Sequence, residues 1–368
     1  MIVHRFDHFT EFRAAIGEKP AEQASNHGAL FQTTDWFELL AQHGLPAGMH
    51  LQWLLVTHDG SPVLGLPLIQ EHGRLTSLSN FYTPLYAPVI LHNALNATDW
   101  PVDSVPARAL GAITHFLRYS DFFAARPASI QLQPLDATGT FYSTMRTALT
   151  TAGYAVDHYF CFGNWVLPCR DLRFADYFVQ RPSALQNTVH RARKKLDRAG
   201  AWKIDIHIQS GEPLDTAITA FETIYQRSWK PAEAFPDFVR RLCVLAAQKG
   251  KLRLGLLSLD GDAIASQIWL VDQGKAFIFK LAYDPDAARY SPGSLLTATL
   301  MEHVLDFDAV DEIDYLSGDD AYKQDWMTHR RERHGLIAFD LATPRGICTA
   351  ARHYGGKKFR AWRAGKTT

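Results

Sequence analysis

The sequence has no surplus of charge of either sign. Lysine plus arginine number 38 and aspartate plus glutamate number 38, so the formal net charge is zero. A neutral chain has no global field to draw it to polyanions, and DNA is not expected as a partner. Long hydrophobic runs are missing as well. A membrane span needs roughly 18 consecutive apolar residues, so none is expected. Cysteine is scarce. Cys161, Cys169, Cys243 and Cys348 show no C-x-x-C spacing, which speaks against a disulfide framework or a structural zinc site and for a reduced, intracellular chain. There is no H-E-x-x-H, so no metal is expected, and no G-x-S-x-G elbow for a serine nucleophile. The opening residues Met1 to Phe6 are followed closely by Asp7 and Glu11. They lack the apolar core of a signal peptide, and cytoplasmic residence is the default expectation.

What is present is an ordinary globular composition, 47% hydrophobic and 21% charged over 368 residues. That is enough for one large or two medium domains that need no covalent staples. Residues 251–326 organise the chain. Runs at 252–259 and 263–271 flank Asp260-Gly261, a dipeptide that supplies the positive φ of a tight hairpin turn. A third run at 276–283 follows Asp272-Gln273-Gly274, so three antiparallel strands are predicted. A polar, turn-rich segment leads to Gly293, and then Leu295, Leu296, Thr299, Leu300, His303 and Val304 mark a helix capped by Ser291 or Ser294. A loop that feeds a helix N-terminus offers unpaired N–H groups and the positive end of a dipole, a natural seat for phosphate. Arg289 adds charge beside it.

The N-terminal half repeats this order. Predicted strands at 51–57 and 62–69 flank Asp59-Gly60, a third at 74–78 follows His72-Gly73, and a helix at 106–118 and a strand at 129–133 come next. This reads as an internal duplication of one α/β unit. The first copy lacks the anion loop. After Tyr82 it runs through Pro84 and Pro88, which remove two backbone donors, and Tyr82 and Tyr86 are candidates to line an acceptor site. Between the halves, residues 183–200 form a helix with Leu185, Val189, Ala192 and Leu196 on one face. His190, Arg191, Arg193, Lys194, Lys195 and Arg198 lie on the other, either a solvated face or a phosphate-reading one.

The C-terminal half resembles the FemAB-like and CelD-type branch of the GNAT acyltransferase superfamily, including its BioF2-like acetyltransferase domains. The residues that carry the resemblance are Lys280-Leu281-Ala282-Tyr283-Asp284-Pro285, Tyr290-Ser291-Pro292-Gly293, the Gly318-Asp319 turn, and Tyr322-Lys323 with Trp326. Pro292 and Ser294 depart from the glycines usual in the superfamily's donor loop. The resemblance implies two tandem GNAT-like folds of the α/β (α+β) class, each a mixed, mostly antiparallel sheet flanked by helices, with a cleft between them. The expected division is 1–165 for an N-terminal domain with a degenerate donor loop, 166–345 for the acyltransferase domain, and 346–368 for a solvated basic tail.

The function implied is transfer of an acyl group from acyl-CoA to an amine, either a small molecule such as an amino sugar or amino acid, or an envelope or polysaccharide precursor. Two alternatives remain open: an aminoacyl-tRNA donor, and a catalytically silent GNAT-fold subunit of polysaccharide biosynthesis. Acyl transfer needs a hydrogen-bond donor for the oxyanion and a way for the amine to lose a proton. Asp284 is the expected base. Lys280 pairs with Asp284 or Asp314, or contacts a phosphate. Tyr322 and Lys323 bind phosphate, protonate the thiolate or hold the acceptor. Arg289, Tyr290, Ser291, Gly293, Ser294 and Leu295 hold the donor. Tyr82, Tyr86, Trp229, Tyr283 and Asp319 are placed on the acceptor side, with Trp229 a core anchor or a cleft wall.

Overall fold

A computed structural model of the protein describes residues 1–17, 30–91, 100–101, 103–120 and 126–364. The first half runs β1 (Ile2–Phe6), α1 (Phe9–Ile16), α2 (Thr34–His43), β2 (His50–His58), β3 (Ser61–Glu71), β4 (Arg74–Ser77), β5 (Val89–Ile90), α3 (Val105–Tyr119), β6 (Ser129–Asp136), α4 (Thr140–Thr151) and β7 (Ala155–Pro168). After α5 (Phe174–Phe178) and α6 (Ser183–Ala199) the second half runs β8 (Trp202–His207), α7 (Glu212–Arg227), α8 (Pro236–Gln248), β9 (Leu252–Leu259), β10 (Asp262–Asp272), β11 (Lys275–Tyr283), α9 (Pro292–Asp306), β12 (Glu312–Asp314), α10 (Lys323–Trp326), β13 (His329–Phe339) and α11 (Pro344–Ala364).

The chain forms two compact units, Met1–Cys161 with Glu332–Thr368, and Phe162–Arg331. In the first, β1 to β4 are antiparallel neighbours in order. β4 joins β6 in parallel, and β6 pairs antiparallel with β13 from Arg333 to Phe339. In the second, β8 to β11 are antiparallel neighbours in order. β11 joins β12 in parallel, and β12 pairs antiparallel with Val166, Leu167 and Pro168 of β7. The pairing scheme is the same in both, with a helix pair between the first two strands and one helix between the fourth and fifth. Both copies are thus GNAT-like folds in tandem, mixed α/β with mostly antiparallel strands. All four short turns, Asp59-Gly60, His72-Gly73, Asp260-Gly261 and Gln273-Gly274, have both residues at positive φ, as two-residue hairpin loops of matching twist require.

The sixth strand of each unit comes from the end of the other repeat. This accounts for the difference from the expected division at 165/166 and 345. Residues 332–339 pack with the first unit because their ladder partner is β6. The expected solvated tail is largely the helix α11. It is fastened within the first unit at Asp157, which lies 2.8 Å from His353 Nε2 and accepts from Lys357 Nζ at 2.8 Å. Although burial pushes the other way, these partners hold the Asp157 carboxyl down at about 2. Residues 365–368 and the side chains of Arg360 and Arg363 lie outside the described residues.

In the second unit the core gathers Trp269, Ile278, Leu295, Leu296, Leu300 and Met301, with the apolar face of α6 (Leu185, Val189, Ala192, Leu196) laid against it. Burying each such side chain stabilises the fold by about 1.5–3 kcal/mol. Gly255 is what lets α9 approach the sheet. A Cβ there would stand 3.0 Å from both Leu296 Cδ1 and Leu300 Cδ1. Close packing at this strand glycine sets how near α9 lies to the sheet.

Candidate active site

The site is built where β11 leaves β12. Three pairs join these strands, at Lys275, Ala276 and Phe277, although β11 is nine residues long. Beyond Asp314 the chain turns out of the sheet through Leu316 at φ +56° and Gly318 at φ +104°. The parting leaves a pocket of about 370 Å³. Leu281 and Tyr283 of β11 form one wall and Tyr315, Tyr322 and Trp326 another. Gln267, Thr297, Gly293 and Ser294 line it from β10 and α9, and Trp229, Lys230 and Asp320 from loops.

The start of α9 determines what the pocket offers. Asp284 follows β11 and caps a 3-10 turn, Pro285–Tyr290, by accepting from Asp286 N–H at 3.0 Å. Ser291 stands in the left-handed region at φ +51°, and Pro292 opens the helix. Pro292 has no N–H to give, and the Leu295 N–H is already bonded to Ser291 O at 3.3 Å. The N–H groups of Gly293 and Ser294 remain, with no protein acceptor among the described residues. They sit at the positive end of a 15-residue helix, the arrangement that binds phosphate and other anions. A hydrogen-bonded chain fixes their position. Trp269 Nε1 donates to Gln267 Oε1 at 2.8 Å, and Gln267 Nε2 donates to Thr297 Oγ1 at 2.8 Å and to Gly293 O at 3.0 Å.

Titratable groups surround this frame. The rings of Tyr315 and Tyr322 meet edge to face at 5.7 Å. Burial pushes the Tyr322 phenol up to about 12 and also raises Tyr315 well above its ordinary value, so both are hydrogen-bond donors at neutral pH. Lys323 is buried, and its Nζ donates to Ser317 O at 2.7 Å and Gly318 O at 3.2 Å and lies 3.3 Å from Asp320. It clamps the 317–320 turn that carries Asp320, and burial lowers its pKa. Lys230 is half-buried. Burial, helped by the charges of Lys280 and Lys323, lowers its pKa to about 8.

Several expected roles change. Asp284 is not among the residues that line the pocket. One oxygen caps the turn and the other lies 3.6 Å from Arg227. Lys280 pairs with Glu233, from the α7–α8 loop, and lies 4.9 Å from the Tyr225 ring centre. It does not meet Asp314, whose oxygens are taken by Asn164 Nδ2 at 2.6 Å, the Leu316 N–H at 2.7 Å and Arg331 at 2.5 Å. Asp319 is held by Arg330 at 2.7 Å and by Trp165 Nε1 at 2.9 Å. Arg289 reaches Tyr290 Oη at 2.8 Å, and Leu295 is buried in the core. Tyr82 and Tyr86 are buried in the first unit, and Tyr86 gives its hydroxyl to Pro67 O at 2.6 Å. Trp229 is a wall rather than an anchor, 56% exposed and 4.5 Å from the Tyr283 ring. Thus Gly293, Ser294, Tyr283, Trp229 and Tyr322 come together as expected candidates, joined by Gln267, Thr297, Tyr315, Lys230 and Asp320. Of these, Gln267 carried a signal in the sequence, a long amide in the middle of a mostly apolar strand.

No group of three metal-ligating side chains occurs among the described residues. Among them, no helix is long and apolar enough to cross a membrane. Residues 183–324 match the family model of the acetyltransferase (GNAT) domain. No curated protein matches the chain. Solved structures of similar fold include FemX, at 13% identity and a TM-score of 0.55 over 93% of this chain and 98% of that one. The C-terminal domain of a putative lysylphosphatidylglycerol synthetase from Agrobacterium fabrum matches at 12% identity and 0.53, over 90% and 95%. L-PGS from Bacillus licheniformis matches at 10% and 0.50, over 91% and 96%. At such identities the likeness speaks for the fold, while the matched domain contains every residue of the pocket but Trp326. Residues 183–324 thus carry a GNAT-type acetyltransferase domain, and the chain as a whole is similar in fold to FemX.

Proposed function

We propose that the protein is an N-acyltransferase that moves the acyl group of an acyl-CoA thioester onto an amine in the pocket of the second unit. The observation that carries this reading is the pair of unpartnered N–H groups, Gly293 and Ser294, opening α9 onto a pocket that also holds a protonated phenol and a carboxylate. The N–H pair and the helix dipole receive the donor's phosphates. The acceptor nitrogen attacks the thioester carbonyl carbon. The C–N bond forms, the C–S bond breaks, and the electron pair leaves on sulfur. Tyr322 donates a hydrogen bond to the developing negative charge and a proton to the departing thiolate. Asp320 orients the acceptor ammonium and accepts its proton directly or through water. General acid or base assistance of this kind contributes about a hundred- to ten-thousand-fold in rate.

One observation favours a second donor, aminoacyl-tRNA. The exposed basic face of α6 is held beside the turn before α9, because Lys195 Nζ donates to Arg289 O at 2.6 Å. A polyanion bound at α9 would meet that face. Titration with CoA, acetyl-CoA and aminoacyl-tRNA, with thiol release followed against a panel of amines, separates these readings. Saturable CoA binding and ribonuclease-insensitive turnover support the first. Turnover abolished by ribonuclease supports the second. Failure to bind any of the three donors would sink both and favour a silent scaffold.

A further inference from the structure

We propose that the acceptor carries a carboxylate beside its amine, and that Lys230 is the residue that recognises it. This inference rests on the acyl-transfer reading above and narrows its acceptor. Two other lysines, Lys280 and Lys323, act on the charge of Lys230. Lys280 is answered by Glu233, and Lys323 by the carbonyls of Ser317 and Gly318 and by Asp320. Lys230 has neither kind of partner. Its Nζ lies 5.8 Å from the centre of the Tyr225 ring and 5.9 Å from that of Trp229, and no carboxylate of the described residues is within ion-pair distance. Ring faces offset only part of the cost of drawing an ammonium out of water. Of the three, Lys230 alone has neither a carboxylate at ion-pair distance nor a carbonyl clamp among the described residues, and it lines the pocket.

An anion completes the set. The donor's phosphates already have a seat at the N–H groups of Gly293 and Ser294, so the anion that Lys230 awaits belongs to the other substrate. The opposite charge is close by. Asp320 lines the same pocket and acts on the charge of Lys230. An acceptor with a carboxylate for Lys230 and an ammonium for the Asp320 oxygen that Lys323 does not hold fits this arrangement. An α-amino acid has that form, whereas a neutral amino sugar leaves Lys230 unanswered.

The test compares each free amino acid with its carboxamide as acceptor, using the full chain and acetyl-CoA and following thiol release. The preferred amino acid should exceed its amide in kcat/KM by about ten- to a hundredfold, the range of one charge-assisted hydrogen bond. Most of the difference should lie in KM. Lys230→Met should collapse that ratio towards unity, and Lys230→Arg should largely restore it, which a merely structural role would not do. CoA affinity, measured separately by calorimetry, should be the same in Lys230→Met as in the parent. Equal rates for acid and amide, or a Lys230→Met loss confined to CoA binding, would overturn the inference and leave acyl transfer standing. No thiol release with any amine would overturn both.

Discussion

The two units part company just after their fourth strands. In the second, β11 runs on past its three ladder pairs, turns through Asp284 to Tyr290 and delivers α9 at the lip of a pocket. In the first, β4 is four residues long and pairs with β6 through three of them. The segment after β4 is stitched to the end of β6. Ser77 Oγ and Ser79 Oγ donate to Gln133 O at 2.6 and 2.9 Å, and the Tyr86 N–H donates to Pro134 O at 2.7 Å. Tyr86 is fully buried, though it borders a smaller hollow of about 230 Å³ with Asp136 and Phe141. One topology therefore supports two outcomes. Where the strands part and a helix starts at once, unpaired donors face space. Where hydroxyls and N–H groups bridge the gap, the same place becomes core.

The contrast is most sharply broken at Gly293. Its Cβ position already lies 3.3 Å from the Tyr283 ring, so Gly293→Trp fills the pocket lip. Calorimetric CoA binding should be lost, with the fold intact by circular dichroism; unchanged affinity would move the donor site elsewhere. Next comes Tyr322→Phe, which keeps the ring and removes the proton. Turnover should drop by about a hundred- to ten-thousand-fold at nearly constant CoA affinity, and a parent-like kcat would assign the proton to water.

A third test uses pH. The unfolded chain keeps the Lys230 proton up to about 10.5, while the folded chain releases it near 8. Between those values the unfolded state binds more protons, so stability rises with pH through that window, and the increment is absent below about 8. Urea midpoints across the window should show the rise, and Lys230→Met should flatten it. In the first unit, Tyr86→Phe removes one buried hydrogen bond and leaves Pro67 O with the Leu78 N–H as its remaining donor. It should cost about 0.5–1.5 kcal/mol in urea unfolding without changing CoA binding; a loss of binding would mean that the first unit holds donor after all. The smallest effect belongs to Asp284→Asn. Asn caps as well as Asp, and the Arg227 partner is largely exposed. Turnover and stability should stay close to the parent, and a large fall in kcat would restore Asp284 as the base.

Much of this was legible in the residues. The Asp-Gly and His-Gly turns announced the hairpins, because both of their residues must take positive φ. The repeated order of elements announced the duplication. The open start of α9 was legible too, since a Ser-Pro-Gly-Ser start fixes which N–H groups a helix leaves open. The surroundings of Asp284 were not legible, for a physical reason. Asp-Pro at a strand end looks the same whether it caps a turn or faces a substrate, and only its partners, the Asp286 N–H and Arg227, distinguish the two. Lys280 likewise needed Glu233, 47 positions away in sequence, to reveal its pairing.

The sequence by itself determined the local geometry: four tight turns, the strand and helix periods, and the open N-terminus of α9. Those depend on φ preferences and hydrophobic spacing within a few residues. Only the tertiary structure decided which charges are answered. Lys323 is a clamp because the carbonyls of Ser317 and Gly318 close around it, and Lys230 is left over because Glu233 goes to Lys280. The exchange of sixth strands is of the same kind. β7 and β13 each find their ladder partner in the other repeat, and backbone hydrogen bonds carry no label of sequence distance.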